Sequence, residues 1–410
     1  MSLSSGLTPL NANSLRTSLN FGTASTSYRK VLPAHLLLFL LAAMATLTIW
    51  NTDLLVDRIY QCSVLLLAAW ILLSDSAKLR WQFAVPLSAV ALWGFCQWTL
   101  GATVDREATW LASMRFSALA ATALVACGAL RSPRERERFL QAMAWFGFVV
   151  AVTSVIAYYT SPGLVLWSAE APYPDVWGPF LSRNNFAQFL ELTLPAALWL
   201  ALRARASLLY GGMAAAMLAA GFTSASRAGA ILLVFETAAV LLSTRVRQWK
   251  RTLLFVTVVA LLAAIGGTHT LIGRLWDPTP LAYRDEIYRS TVDMVASRPL
   301  QGYGLGTYPW VYPRFAATDF GYRIDHAHND WLEWAGEGGL GFMAAWTWVA
   351  VNAVFRSRPH PWAWGVAALF LHALVDFPTA RMGIAAWAFI LIGAIESSET
   401  RPPKFSRRTT

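Results

Sequence analysis

The sequence predicts an all-α integral membrane protein with about twelve transmembrane helices. Three observations carry that prediction. Hydrophobic residues make up 56% of the 410 and charged residues only 14%, against about 25% charged in a soluble chain. The apolar residues gather in runs near the ~17–25 residues that cross a bilayer core as a helix. The Lys and Arg residues gather in alternate loops between those runs.

The first ~30 residues are rich in Ser, Thr and Asn and end in the flank Tyr28-Arg29-Lys30; we read 1–32 as a cytoplasmic tail. No small-residue cleavage site follows the first apolar run, which is therefore expected as a retained span and not a signal peptide. Spans are expected near 33–50, 55–73, 82–100, 109–130, 138–160, 183–203, 207–222, 228–243 and 251–268. These nine make the block 33–268. A long polar segment, 269–331, follows. Three more spans, near 332–355, 361–377 and 381–397, complete the block 332–397, and 398–410 is a second cytoplasmic tail.

The loops orient this arrangement. With the N-terminus in the cytoplasm, each loop on that side is basic: Lys78/Arg80, Arg131/Arg134/Arg136/Arg138, Arg203/Arg205, Arg245/Arg247/Lys250/Arg251, Arg356/Arg358 and the tail Arg401/Lys404/Arg407/Arg408. The opposite loops are short or mixed in charge, and 269–331 falls among them, facing away from the cytoplasm. The net charge of +10 is thus a topology signal, and no nucleic-acid partner is expected. Cys62, Cys96 and Cys127 all lie in apolar runs, so no disulfide framework is expected. No Cys/His cluster has zinc spacing, and neither a metal nor a cofactor is expected.

Within the long segment, Tyr283 to Ser297 reads as a helix ended by Pro299. Gly302, Gly304 and Gly306 then form a flexible turn before Tyr308, Trp310 and Tyr312, aromatics suited to a membrane–water interface. The glycine triple lacks the strand–helix context of a nucleotide-binding loop. The segment ends on His326-Ala-His328-Asn329-Asp330, followed by Glu333 and Glu337. Histidine titrates near neutral pH, so it takes a proton from a hydroxyl and releases it again. His328 is the expected base, and His326 its support. Asp330, Glu333 or Glu337 would orient the ring. The plain alternative is a polar N-terminal cap packed on the loop.

Arginines on this side run against the positive-inside trend. Arg183, in Arg183-Asn184-Asn185, and Arg227, in Ser224-Ala-Ser-Arg-Ala-Gly229, each open a helix; Arg284 starts the loop helix. The guanidinium fork fits phosphate oxygens, and a helix N-terminus adds free N–H groups. Together the three would hold a diphosphate at the membrane surface. Anchoring by snorkelling is the competing account, and the sequence favours it for Arg314 and Arg323. Arg314 nevertheless stays among the candidate binding residues with Asn185 and Asn329. His372 and Asp376 form a possible ionisable pair inside a late span, and Glu191 and Glu236 lie inside earlier ones.

From about 180 to 345 these residues resemble the domain shared by O-antigen ligases, O-antigen polymerases and related lipid-linked-sugar transferases. The matching pieces are Asn184-Asn185 with Leu194-Pro195, Ser226-Arg227-Ala-Gly229, Arg284 with Arg298-Pro-Leu-x-Gly302-Tyr-Gly304, and His326-Ala-His328-Asn329-Asp330 with Glu337-Gly-Gly339-x-Gly341. The ligase pattern ends in a Gly pair, from which Gly339 and Gly341 depart slightly. The resemblance implies a GT-C-type glycosyltransferase of the bacterial inner membrane with a long periplasmic loop. It would use no nucleotide sugar, ATP or essential metal. The implied donor is an O-antigen glycan on undecaprenyl diphosphate, and the implied acceptor in the ligases is the lipid A–core oligosaccharide. The family's essential His and two essential Arg map onto His328, Arg227 and Arg284. A polymerase shares these residues and differs in its acceptor; the single long loop favours a ligase. A protein O-glycosyltransferase would more often carry an added soluble C-terminal region. A transporter would concentrate charges and broken helices near the membrane midplane.

Overall fold

The computed structural model describes residues 34–51, 54–74, 81–203, 207–244, 249–277 and 283–399. Lys78, Arg80, Arg205, Arg245, Arg247 and the tail arginines and lysine beyond 399 lie outside the described residues, as does the stretch 1–33. The first helices are α1 (Ala34–Leu47), α2 (Leu54–Leu73), α3 (Trp81–Thr99), α4 (Arg106–Ala129) and α5 (Pro133–Thr160). A two-stranded hairpin, β1 (Leu164–Val165) and β2 (Ala169–Glu170), leads to α6 (Arg183–Arg203), α7 (Ser207–Thr223), α8 (Arg227–Ser243) and α9 (Trp249–Ile265). The polar segment holds α10 (His269–Leu275), α11 (Arg284–Ser297) and α12 (Tyr308–Val311). Then come α13 (Asp330–Ser357), α14 (Trp364–His372) and α15 (Met382–Glu399).

Each apolar run of the sequence carries a helix, but not each carries a full span. Among the described residues, five helices are long and apolar enough to cross a membrane, or six if a pair bent by 93° counts as one. Length and composition thus support five or six of the twelve expected spans among the described residues, with Ala34–Leu47, Ser207–Thr223 and Met382–Ser398 as shorter apolar helices. α1 has 14 residues and α7 has 17, near or below the ~20 that a ~30 Å core takes. The run 251–268 turns sharply after Ile265, where Gly267 has φ 75°, and continues as α10. The run 361–377 is a half-helix. A 3-10 turn, Pro361–Ala363, precedes α14, and α14 stops at His372. Asp376 lies in the turn beyond it.

α13 is also broken, and the break organises the site. Gly339 has φ 76° and ψ 176°, a conformation essentially reserved for glycine. Breaking the helix there frees carbonyls, and the glycine-rich turn supplies their donors. Tyr303 N donates to Gly336 O (3.1 Å), and Gly304 N to Glu337 O (2.9 Å). Gln97 of α3 donates to the same Glu337 carbonyl at 2.8 Å. The Glu337 carboxylate accepts from Gly306 N and Tyr308 N, each at 2.8 Å, and so fixes the start of α12. Trp334 and Trp346, on either side of the break, stack at 4.3 Å and 8°. The glycine spacing is thus the means by which the polar segment docks against α13.

A side chain at Gly339 would collide with the Leu300 carbonyl. Gly339→Ala is expected to cost at least about 1–3 kcal/mol from backbone strain alone. Thermal unfolding in detergent checks this: a lowered midpoint is expected, and an unchanged one would mean the break accepts a Cβ.

Candidate active site

Three segments meet around His328: the approach to α13, the turn after α14, and the first turns of α6. Asn329 is the N-cap of α13, its side chain accepting from Leu332 N at 3.1 Å. The residue before the cap must turn sharply, and His328 does so with φ 52°. A non-glycine residue holds that left-handed conformation at a cost, and such strain gathers at functional sites. Neighbours secure it. Tyr288 of α11 donates its hydroxyl to His328 O at 2.9 Å. Burial raises the Tyr288 pKa above the usual phenol value, with Arg284 opposing, so the hydroxyl stays a donor at neutral pH. Asp330 N donates to the carbonyls of Ala373 (2.9 Å) and Asp376 (3.2 Å).

The ring partner is Asp376. Its Oδ1 lies 3.4 Å from His328 Nδ1, and its Oδ2 accepts from Gln188 Nε2 at 2.9 Å. Gln188 in turn accepts from Asn185 Nδ2 at 3.0 Å. The Gln188 donor on Oδ2 and the nearby Arg284 charge favour an ionised carboxylate. With Nδ1 turned to Asp376, Nε2 is the nitrogen left for a substrate. Arg284 Nη1 donates to Val375 O at 2.6 Å, and its charge is within electrostatic reach of Asp376 and His372. The His326 ring stacks flat on Phe377, at 4.2 Å and 15°, with Nδ1 3.0 Å from Glu333. His328 meets the same Phe377 edgewise at 5.1 Å.

This corrects the expected orienting group. Asp330, Glu333 and Glu337 follow i, i+3, i+7 spacing and share one face of α13, and each is engaged elsewhere. Asp330 accepts from Thr379 N (3.0 Å) and Oγ1 (2.8 Å). Glu333 takes His326 and Ala327 N (2.9 Å). Glu337 takes the loop amides described above. The expected His372–Asp376 pair is split as well: His372 Nδ1 lies 2.7 Å from Glu191 Oε1, both residues fully buried. Among the described residues, Glu191 Oε2, both Glu236 oxygens and His372 Nε2 have no hydrogen-bond partner.

The arginines fall into two neighbouring groups. Arg284 belongs to the His328 centre. Arg183 pairs with Asp175, while Arg227 lies 3.6 Å from Asp277 and donates to Arg274 O at 3.2 Å. Arg274 is within electrostatic reach of Arg183, Arg227, Asp175 and Asp277. The sequence motif around Arg227 explains its placement. Ser226 caps α8 by accepting from Gly229 N (3.2 Å) and donates to Asn184 Oδ1 (2.8 Å). Gly229 admits the Ala187 methyl of α6 at close range. The start of α6 therefore joins the groups: Asn184 reaches Ser226, and Gln188, four residues on, reaches Asp376. At 1.5 Å per residue that separation is about 6 Å along the helix.

Arg314 is exposed on the turn Tyr312–Arg314 and has no hydrogen bond or ion pair among the described residues. Arg323 pairs with Asp325 (3.0 Å) and lies over Trp310 (5.0 Å). Sequence reasoning passed over four side chains that the structure brings to the site. Gln188 holds Asp376. Arg115 of α4 lies within electrostatic reach of Asp330, Glu333 and Glu337. Arg381 covers Phe377 (5.4 Å), and Arg274 joins the basic group. One signal was present: Asn185, Gln188 and Glu191, at intervals of three, place polar groups along one stripe of α6. Among the described residues, no group of three or more His, Cys, Asp or Glu side chains is placed to hold a metal ion.

These features define a helical membrane protein in which a histidine–aspartate pair sits beside clustered arginines at one end of the bundle. Residues 212–347 match the family model described as O-antigen ligase. That match, over about a third of the chain, is consistent with the O-antigen ligase family and indicates a function of O-antigen ligase or polymerase type. No curated protein matches the chain. The matched stretch takes in Arg227, Arg284 and His328. Arg183, Asn185 and Gln188 precede it, and Asp376 follows it.

Proposed function

We propose that the protein is an O-antigen ligase, transferring the O-antigen glycan from undecaprenyl diphosphate to the lipid A–core oligosaccharide at the periplasmic face of the inner membrane. The observation that supports it most is His328, strained at its backbone, with Nδ1 on Asp376 and Nε2 left for substrate, while Arg284 grips the carbonyl of Val375, the residue next to Asp376.

In this reading the acceptor hydroxyl gives its proton to His328 Nε2 as its oxygen bonds to the anomeric carbon. The bond from that carbon to the diphosphate oxygen breaks in the same displacement, inverting the centre. The electron pair leaves on undecaprenyl diphosphate, where Arg284, Arg227 and Arg183 match its charge. Asp376 steadies the imidazolium so formed. His326, Asn329, Asp330 and Glu337 act as positioning residues, and Asn185 acts through Gln188. The leaving group is already activated, so neither ATP nor a metal takes part, and the fold is read as GT-C.

The test combines purified protein with undecaprenyl-diphosphate-linked O-antigen and rough lipopolysaccharide, in EDTA and without nucleotide. A glycan ladder on the lipid A–core is the expected product. Longer lipid-linked glycan and no ladder would make the protein a polymerase; neither product from folded protein would overturn the reading. Asp376→Asn is expected to slow transfer by about 10–100-fold, the value of a charged hydrogen bond of ~1.5–3 kcal/mol. Equal loss in a Glu333→Gln variant of matched stability would remove Asp376 from its special place.

A further inference from the structure

The opposite end of the bundle holds a second feature, independent of the transfer reaction. α5 and α7 begin there, and α6 and α8 end there, lining with α9 and the 3-10 turn an open cavity of about 1170 Å³. Drug-sized ligands occupy roughly 300–1,000 Å³, so this space suits a larger guest. Its wall is more apolar than polar, with Leu140, Leu198, Leu208, Leu254, Phe255 and Val258 along it. Its charged lining is Arg136, Arg203 and Glu137, with His360 beside them. Arg136 is half-buried and donates to Leu130 O at 3.2 Å; Arg203 lies over Trp199 at 5.2 Å. Among the described residues, neither guanidinium has a carboxylate partner within ion-pair distance.

An apolar wall with arginines that pair with no carboxylate among the described residues calls for a guest with the reverse pattern, an anionic head on apolar chains. We propose that this cavity binds an anionic phospholipid. The head phosphate sits on Arg136 and Arg203, and an acyl chain runs along Leu198 and Leu254 toward the membrane interior. Basic pockets between membrane helices take such headgroups, and the guanidinium fork suits phosphate oxygens.

The test uses delipidated, full-length protein in detergent with dioleoyl phosphatidylglycerol, dioleoyl phosphatidylcholine or inorganic phosphate as probes, bound lipid being counted by native mass spectrometry. Wild type is expected to prefer phosphatidylglycerol over phosphatidylcholine by roughly thirtyfold, two headgroup contacts of about 1 kcal/mol each. R136A/R203A is expected to lose the preference, and R136K/R203K to keep most of it, which separates lost charge from lost fold. Equal binding of the two lipids by wild type, an unchanged preference in R136A/R203A, or displacement of the lipid by inorganic phosphate would each overturn the proposal.

Discussion

Replacing His328 by alanine is expected to lower glycan transfer by about 10²–10⁴-fold, the range for removing a positioned general base. The variant should fold. His328 is 24% exposed at its side chain, and the Asn329 cap and the Tyr288 hydrogen bond to its carbonyl do not use the ring. Alanine removes only the Asp376 contact and the edge of Phe377. Its left-handed backbone still carries a cost, so the thermal midpoint should move little while the ladder on the lipid A–core disappears. The comparison with His326→Ala discriminates further. His326 stacks on Phe377 and pairs with Glu333, so its loss should weaken transfer less and stability more. A His328→Ala variant that kept wild-type rate, or lost it only by unfolding, would take the residue out of the chemistry.

The second large effect is expected at Arg284. Its alanine variant should lose about 10²–10³-fold, as when a donor to developing negative charge is removed. The loss should fall on kcat more than on KM, because the charge on the diphosphate builds as the glycosidic bond breaks. Arg284→Lys should recover little. One ammonium cannot both hold the Val375 carbonyl and offer a planar fork to phosphate oxygens. A lysine variant with near wild-type kcat would show that only a point charge is needed. A loss confined to KM would assign Arg284 to ground-state binding.

Much of this arrangement was legible in the chain. Apolar runs placed the helices within a few residues, because a helix in lipid must bury its own backbone polar groups and declares itself by composition. The Ser226-Arg227-x-Gly229 and His328-Asn329-Asp330 pieces were legible because each is a local capping unit, a polar cap followed by the first helical turn. The Gly302, Gly304 and Gly306 turn was visible as glycines, but its role was not. Its partners are carbonyls at Gly336 and Glu337, freed by a break at Gly339 that the apolar run around it conceals.

Other features depended on which surfaces met. A run such as 361–377 reads as one span because composition averages over it, whereas packing ends α14 at His372 and returns Asp376 to His328. Asp330, Glu333 and Glu337, near in sequence, are turned by helical periodicity into their own contacts; Asp376, 48 positions away, takes the ring. Composition, local capping and charge placement are properties of adjacent residues, so the sequence by itself determined the helical membrane class, while the resemblance of its motifs to a known family singled out His328, Arg227 and Arg284 as candidates. The partner of the His328 ring, the division of the arginines into two groups and the break and end of helices such as α13 and α14 are sums over distant contacts, and only the tertiary structure decided them.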